Sequence, residues 1–377
     1  MRFLENERQT LAKFLPGLDD CLAGHPLEDL ERPGNPGIAE FRRCGGPGLL
    51  VPPEHGGAGA GALDAVRVQR AIGARSPSTA VATTMHHFSM ASLVVLSRTG
   101  QGFEWMLMEG IAREGKLLAS GFAEGRAGSS ILAPAMSAVP EDGGLRITGV
   151  KRPCSLARSM DLLTASVLVP RRDEPGEQLA IALVPAGSDG LSVSPFWTSF
   201  ALAGAESEQV TADSVFVPEE LVIRVAAAPG QSLDTLQVAG FLWFELLITS
   251  SYLGAVSGLV ERVLHNPRVP AAERARLLVE IEGAVAGVEN VARQVDEGRN
   301  DDELLAACLI ARYAAQDAVA RITPRAVELL GGLNFMSSDE IGYRAACVHA
   351  LALHPPSRGR MAEPLTEYLA GGPLTIV

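Results

Sequence analysis

A chain of 377 residues with 47% hydrophobic and 20% charged residues has enough apolar material for a large core. Its net charge of −12 argues against nucleic acid or an anionic membrane surface as the main partner, because both select a Lys/Arg excess. Aromatic residues make up only 5%, so the expectation is helix-rich packing through Ala, Leu, Val and Gly.

The segment from Met1 to Lys13 mixes Arg2, Glu5, Glu7 and Arg8 with apolar residues and has no apolar signal core, so export is not expected. Helical spacing runs through Ala62–Gly73 and Ser78–Leu96. A Gly/Pro-rich stretch at 45–61 precedes them. Its Gly56–Gly61 part is not GxGxxG and follows Pro52-Pro53 rather than a strand, so it reads as a flexible surface loop and not a nucleotide cradle.

From Lys116 to Ile223 the pattern changes to short β-like runs: Leu145–Val150, Asp161–Val169, Gln178–Val184 and Gln209–Val217. Glu141-Asp142-Gly143-Gly144 is a hairpin signal. Beyond residues 225–230 the chain turns helical again. Leu236–Val260 is long enough to cross a bilayer, yet it carries Glu245 near its centre with Gln237, Thr249, Ser250 and Ser251. A buried helix of a bundle is the better reading. Gly298–Asp302 predicts a helix–helix turn with an N-cap, before a long helix over Asp302–Leu330. The order is α, β, α. It predicts an α+β chain with an N-terminal helical domain (1–115), a central β domain (116–223) and a C-terminal helical bundle (224–377).

Five cysteines, an odd number with none at CxxC spacing, indicate neither a disulfide scaffold nor a zinc site. A reducing, cytoplasmic setting is the expectation. No P-loop, HExxH or GxSxG occurs. His86 and His87 are adjacent, so on a helix they point about 100° apart and make no metal face. His349 and His354 are five apart, also a poor metal spacing, and each of these histidines reads first as structural or solvent-facing.

Five segments in register carry a family resemblance. Leu50-Val-Pro-Pro-Glu-His-Gly-Gly57, Gly121-Phe-Ala-Glu-Gly-Arg-Ala-Gly-Ser129, Gly149-Val-Lys-Arg-Pro-Cys-Ser155, Val215-Phe-Val-Pro218 and Glu328-Leu-Leu-Gly-Gly332 resemble, in order and spacing, the motifs of acyl-CoA dehydrogenases. The resemblance covers about residues 48–350. It implies that fold and an FAD cofactor contacted by Phe122, Ala123, Gly128, Ser129, Pro153 and Ser155. Gly331 and Gly332 would reach the FAD of a neighbouring subunit. Chemically, Gly128 and Ser129 suit a pyrophosphate or thioester oxygen, and the Ser155 hydroxyl suits the polar edge of an isoalloxazine ring. Gly-Gly after an apolar helix is otherwise an ordinary C-cap.

The chain also departs from the family. The position where the family's catalytic glutamate usually stands falls on His354-Pro-Pro-Ser-Arg358, and Glu363 lies beyond it. Some members place the base on the long helix after the β domain, where this chain has Glu245, one residue off register. A lone carboxylate in an apolar helix is either a base with a raised pKa or a structural group, paired with a buried Arg or facing the subunit interface, and the sequence leaves both open. Pro153 replaces an aromatic residue usually found beside the flavin. The Arg-x-x-Phe-Gly element that contacts the adenosine is not recognisable in His265–Leu278, and Arg126 stands where small or acidic residues are common.

The leading expectation is therefore an FAD-dependent flavoprotein oxidoreductase that desaturates an acyl thioester, on coenzyme A or a carrier protein, with Glu245 as base and a homodimer or homotetramer as the assembly. One alternative is a flavin-dependent monooxygenase or oxidase on the same fold, with His354 acting near the flavin. The other is a catalytically degenerate subunit of a hetero-oligomer.

Overall fold

The apolar periodicity of the first part becomes helices α1 (Glu5–Phe14), α2 (Leu18–Ala23), α3 (Leu27–Leu30), α4 (Pro36–Arg43), α5 (Ala62–Arg75), α6 (Pro77–Thr99) and α7 (Glu104–Glu114). This is the arrangement in a computed structural model that describes residues 2–99, 104–125, 134–171, 176–224 and 233–376. Pro77 excludes the helical region for the residue before it, and Ser76 is accordingly extended (φ −137°, ψ 104°). One residue thus separates α5 from α6. The buried Glu31 carboxylate accepts from the Ser78 N–H at the start of α6, where the helix dipole favours an anion.

The stretch at 45–61, whose Gly56–Gly61 part reads from composition as a flexible surface loop, is closely packed at several of its glycines. Gly46 lies so close to the Phe41 ring that a Cβ would fall 2.3 Å from it, and one on Gly57 would fall 2.1 Å from the Val51 carbonyl oxygen. The N–H groups of Ala58, Gly59 and Ala60 donate to the carbonyls of Gly48, Val51 and Leu49. Here glycine serves close packing rather than freedom of movement.

The β-like runs become β1 (Leu118–Gly121), β2 (Ser137–Glu141), β3 (Gly144–Cys154), β4 (Leu162–Pro170), β5 (Glu177–Pro185), β6 (Leu191–Ser194), β7 (Glu208–Pro218) and β8 (Val222–Arg224). Among the described residues they form one sheet in the order β6-β7-β3-β2-β4-β5-β8, with β1 parallel to β4. β2 and β3 make the expected hairpin, Glu141 opposite Gly144 with Gly143 at φ 76°. β4 is buried on both faces over most of its length, hence its nearly continuous apolar run.

The C-terminal helices are α8 (Thr235–His265), α9 (Ala271–Asp296), α10 (Asp302–Leu330), α11 (Gly332–Ser337), α12 (Asp339–Cys347) and α13 (Arg358–Leu369). An Asp234–Gln237 capping box starts α8, and the Asp301 side chain caps α10 through the Leu304 N–H. α8 packs against α5, α6, α9 and α10. The spans Pro77–Arg98 and Thr235–His265 are long and apolar enough to cross a membrane, but 83% of each apolar window is buried inside the fold, as the sequence led us to expect of α8. α5 and α8 cross at glycines: a Cβ on Gly73 would lie 2.2 Å from the Ser251 carbonyl oxygen, and one on Gly254 2.3 Å from that of Arg70.

Candidate active site

A cavity of about 550 Å³ opens where the sheet meets α6, α8 and the segment after α12. That is ample for a small organic ligand. Phe122 and Ala123 follow β1, Pro153 and Ser155 sit at the end of β3, and all four line it. Trp197, Leu202 and Ser207, from the irregular stretch before β7, close the same side. The opposite side is mainly apolar, with Met85 and Phe88 of α6 and Phe241 and Phe244 of α8, and with Ser92 and Gln237 as its polar members. Phe88 packs against both Phe122 and Phe244, with ring centroids 5.7 and 5.6 Å away.

The polar groups are few and specific. Ser155 and Ser207 hydroxyls are 2.9 Å apart and buried. His354 Nε2 lies 2.9 Å from the Tyr252 hydroxyl, and both residues line the cavity. Burial first, and the charge of Arg312 second, lower the His354 pKa to about 3, so the imidazole is neutral at physiological pH. Burial raises the Tyr252 hydroxyl well above its usual value. Glu124 also lines the cavity, but its carboxylate is engaged: Lys151 Nζ lies 2.7 Å away, and the N–H groups of Ala135 and Met136 donate to it. Burial raises its pKa, yet Lys151 and these amides outweigh burial and hold it below the usual range.

This donor set fits a flavin. Apolar and aromatic walls suit the two faces of an isoalloxazine ring, and the Ser155–Ser207 pair offers hydroxyls to its polar edge. Gly128, Ser129 and Arg126 lie outside the described residues. Gly331 and Gly332 are not on the cavity wall. They end α10 at the surface, with nothing within 4 Å of where a Cβ would stand.

Glu245 is fully buried and does not line the cavity; one residue past Phe244, it is turned about 100° away. Its Oε2 accepts from Arg312 Nη1 at 2.6 Å, and Arg312 is also fully buried. Burial raises the Glu245 pKa to about 7 against the opposing pull of Arg312. Of the two readings left open, the geometry matches the partner of a buried Arg. His86 and His87 are structural and fully buried. His86 Nδ1 accepts from the Leu118 N–H, which leaves Nε2–H to donate to the Pro47 carbonyl. Sequence reasoning missed Trp197, Tyr252 and the phenylalanines Phe88, Phe241 and Phe244 as site residues. Tyr252 lies inside α8, where the apolar periodicity gives no sign of a site role, and Trp197 sits in a segment without periodicity.

No family model matches the chain. It is 48% identical over 380 residues to isobutylamine N-hydroxylase from Streptomyces viridifaciens, covering 100% of both. Its fold matches FMN-bound TdsC, a dibenzothiophene monooxygenase from Paenibacillus sp. A11-2, with a TM-score of 0.78 at 21% identity over 100% of this chain and 99% of that one. It matches methanesulfinate monooxygenase MsuC from Pseudomonas fluorescens equally, with a TM-score of 0.78 at 21% identity over 99% and 98%. These findings overturn the expected acyl-thioester desaturation and, with it, Glu245 as base for that reaction: the full-length relative is an amine hydroxylase, and the structural neighbours are monooxygenases. The fold expected from the motifs stands, and the cofactor is a flavin. The chain belongs to the flavin-dependent monooxygenases built on the acyl-CoA dehydrogenase-like fold.

Proposed function

We propose that this protein N-hydroxylates a small aliphatic amine with dioxygen and reduced flavin. The observation that carries the reading is the cavity's substrate side, where mainly apolar walls from Met85, Phe88, Phe241 and Phe244, with Ser92 and Gln237 among them, surround the hydrogen-bonded pair Tyr252–His354. A bound reduced flavin supplies two electrons, so that one oxygen atom of dioxygen goes to the amine nitrogen and the other leaves as water.

The protein's own part is to hold the amine. Oxygen transfer to nitrogen requires a free lone pair, so the nitrogen must be unprotonated when it reacts. Neutral His354 has its Nε2 engaged with Tyr252, and its Nδ1 makes no hydrogen bond among the described residues. That nitrogen, or the Tyr252 oxygen, accepts an amine N–H and leaves the lone pair free. The phenylalanine walls bury the alkyl chain and exclude water.

We propose FMN rather than FAD. The adenosine-contacting element is missing from His265–Leu278, and the TdsC neighbour holds FMN. The chain has no dinucleotide fingerprint, which supports a separate reductase as the source of reduced flavin. All five cysteines are free, in keeping with a cytoplasmic setting. Leu333 (77% exposed) and Met336 (77%) on α11 fit a subunit contact in a homodimer or homotetramer.

The test is turnover of isobutylamine with reduced FMN under ¹⁸O-labelled dioxygen. One labelled oxygen atom in the hydroxylamine is expected, with kcat/KM lowered about 100-fold or more in His354→Ala. No labelled product across a panel of primary amines would refute the reading.

A further inference from the structure

The Arg312 guanidinium does more than neutralise Glu245. Its Nη2 donates to the carbonyls of Leu351 and His354, at 3.1 and 2.5 Å, and its Nη1 reaches the Pro355 carbonyl at 3.4 Å as well as Glu245. Neighbours on α10 add to this grip: the Tyr313 hydroxyl donates to the Pro356 carbonyl at 3.0 Å, and Gln316 reaches Leu351 at 3.5 Å. The segment so held carries His354 and Leu353, and both line the cavity. Leu353 is nonetheless 80% exposed, and Ala352 and Pro355 are exposed too. Apolar burial fixes this stretch only at its ends, Leu351 and Pro356, and between them the backbone carbonyls turn inward to one buried cation.

We propose that Glu245 and Arg312 are positioning residues: the carboxylate of α8 orients the guanidinium of α10, and the guanidinium fixes the 351–356 backbone so that the His354 imidazole points at the substrate. The proposal rests on His354 facing substrate, as argued above, but its first consequence is independent of any reaction. A buried guanidinium with one carboxylate and three carbonyls around it holds a single geometry, because its planar donors are fixed in direction. Removing the carboxylate frees it to tilt. Removing the guanidinium leaves the carbonyls unpaired, and the segment would then turn to water.

Two measurements test this. In hydrogen–deuterium exchange on the flavin-loaded protein, peptides spanning 348–357 are expected to exchange about 10-fold faster or more in Arg312→Gln than in the wild type, while peptides from β3, β4 and α5 keep their rates. Glu245→Gln, which keeps an acceptor for Arg312, is expected to fall between the wild type and Glu245→Leu. In turnover, the loss of kcat/KM caused by Arg312→Gln is expected to shrink to less than about threefold in a His354→Ala background, because both changes remove the same positioned ring. Unchanged exchange at 348–357 in the folded variants overturns the positioning role. Losses that multiply fully in the double variant show that Arg312 does not act through His354. If no amine is hydroxylated by the wild type, the proposed function fails, while the exchange result still decides whether the segment is held by Arg312. Should Arg312→Gln not fold, the Glu245 pair gives the same two readouts.

Discussion

At the scale of single residues, the cavity is governed by a few polar side chains in apolar surroundings. Ser155 and Ser207 hydrogen-bond each other, so one hydroxyl can donate onward to a flavin while the other supports it. Ser155→Ala removes one such bond, worth about 0.5–1.5 kcal/mol. It is expected to raise the FMN Kd roughly 2- to 10-fold, as fluorescence titration would read, and to lower the melting temperature of the flavin-free protein slightly through loss of the Ser155–Ser207 bond. An unchanged Kd would show that Ser155 does not face the flavin. Glu245 teaches the opposite lesson. The sequence showed a carboxylate where an apolar helix should not carry one, but its partner Arg312 stands on another helix 67 residues away, and no local pattern ties the two.

At the scale of elements, α5 and α8 approach closely because Gly73 and Gly254 leave room for each other's backbones. Gly254→Ala must either displace the Arg70 carbonyl or separate the helices. The expected cost is about 2–3 kcal/mol in chemical denaturation, although alanine is the better helix former. A neutral or stabilised variant would show that the crossing is not tight. This contact was invisible in the sequence, where a glycine inside a helix reads only as a weak position. Element type and order were far more legible. The long helices over Asp302–Leu330 and around Leu236–Val260, and the strands of the central sheet, follow from periodicity and turn residues that are local properties of the chain. The close packing within 45–61 was not legible, because glycine and proline are common both in mobile loops and in tight packing. In the site, Phe122, Ala123, Pro153, Ser155 and His354 were found through motif order, whereas the walls from α6 and α8 depend on how helices meet.

At the scale of the whole molecule, buried histidines make stability depend on pH. Burial lowers His86 to about 4 and His354 to about 3, and takes His87 well below its usual value. Each folded-state value lies beneath the unfolded one, near 6.5. The unfolded chain therefore takes up protons that the folded chain refuses, and stability present above pH 6.5 is lost as pH falls toward the folded values. His86 alone accounts for roughly 3 kcal/mol between pH 6.5 and 4. Glu245 works in the other direction: raised to about 7, it favours the folded state as pH falls from 7 toward 4.5. His87 isolates the histidine part, since neither of its ring nitrogens has a partner among the described residues. His87→Phe is expected to melt higher than the wild type at pH 7 and to lose less of its melting temperature between pH 7 and 5. An equal loss in both proteins would remove His87 from the account.

The cavity draws its walls from all three parts of the chain, from Val81 on α6 to Pro355 just before α13. The last wall to be synthesised is also the one carrying His354. A nascent chain still missing its final helices has a sheet but no closed site around it. A fragment that ends before Ala350 therefore lacks the wall that carries His354, and the pocket is complete only once nearly all of the chain has been made.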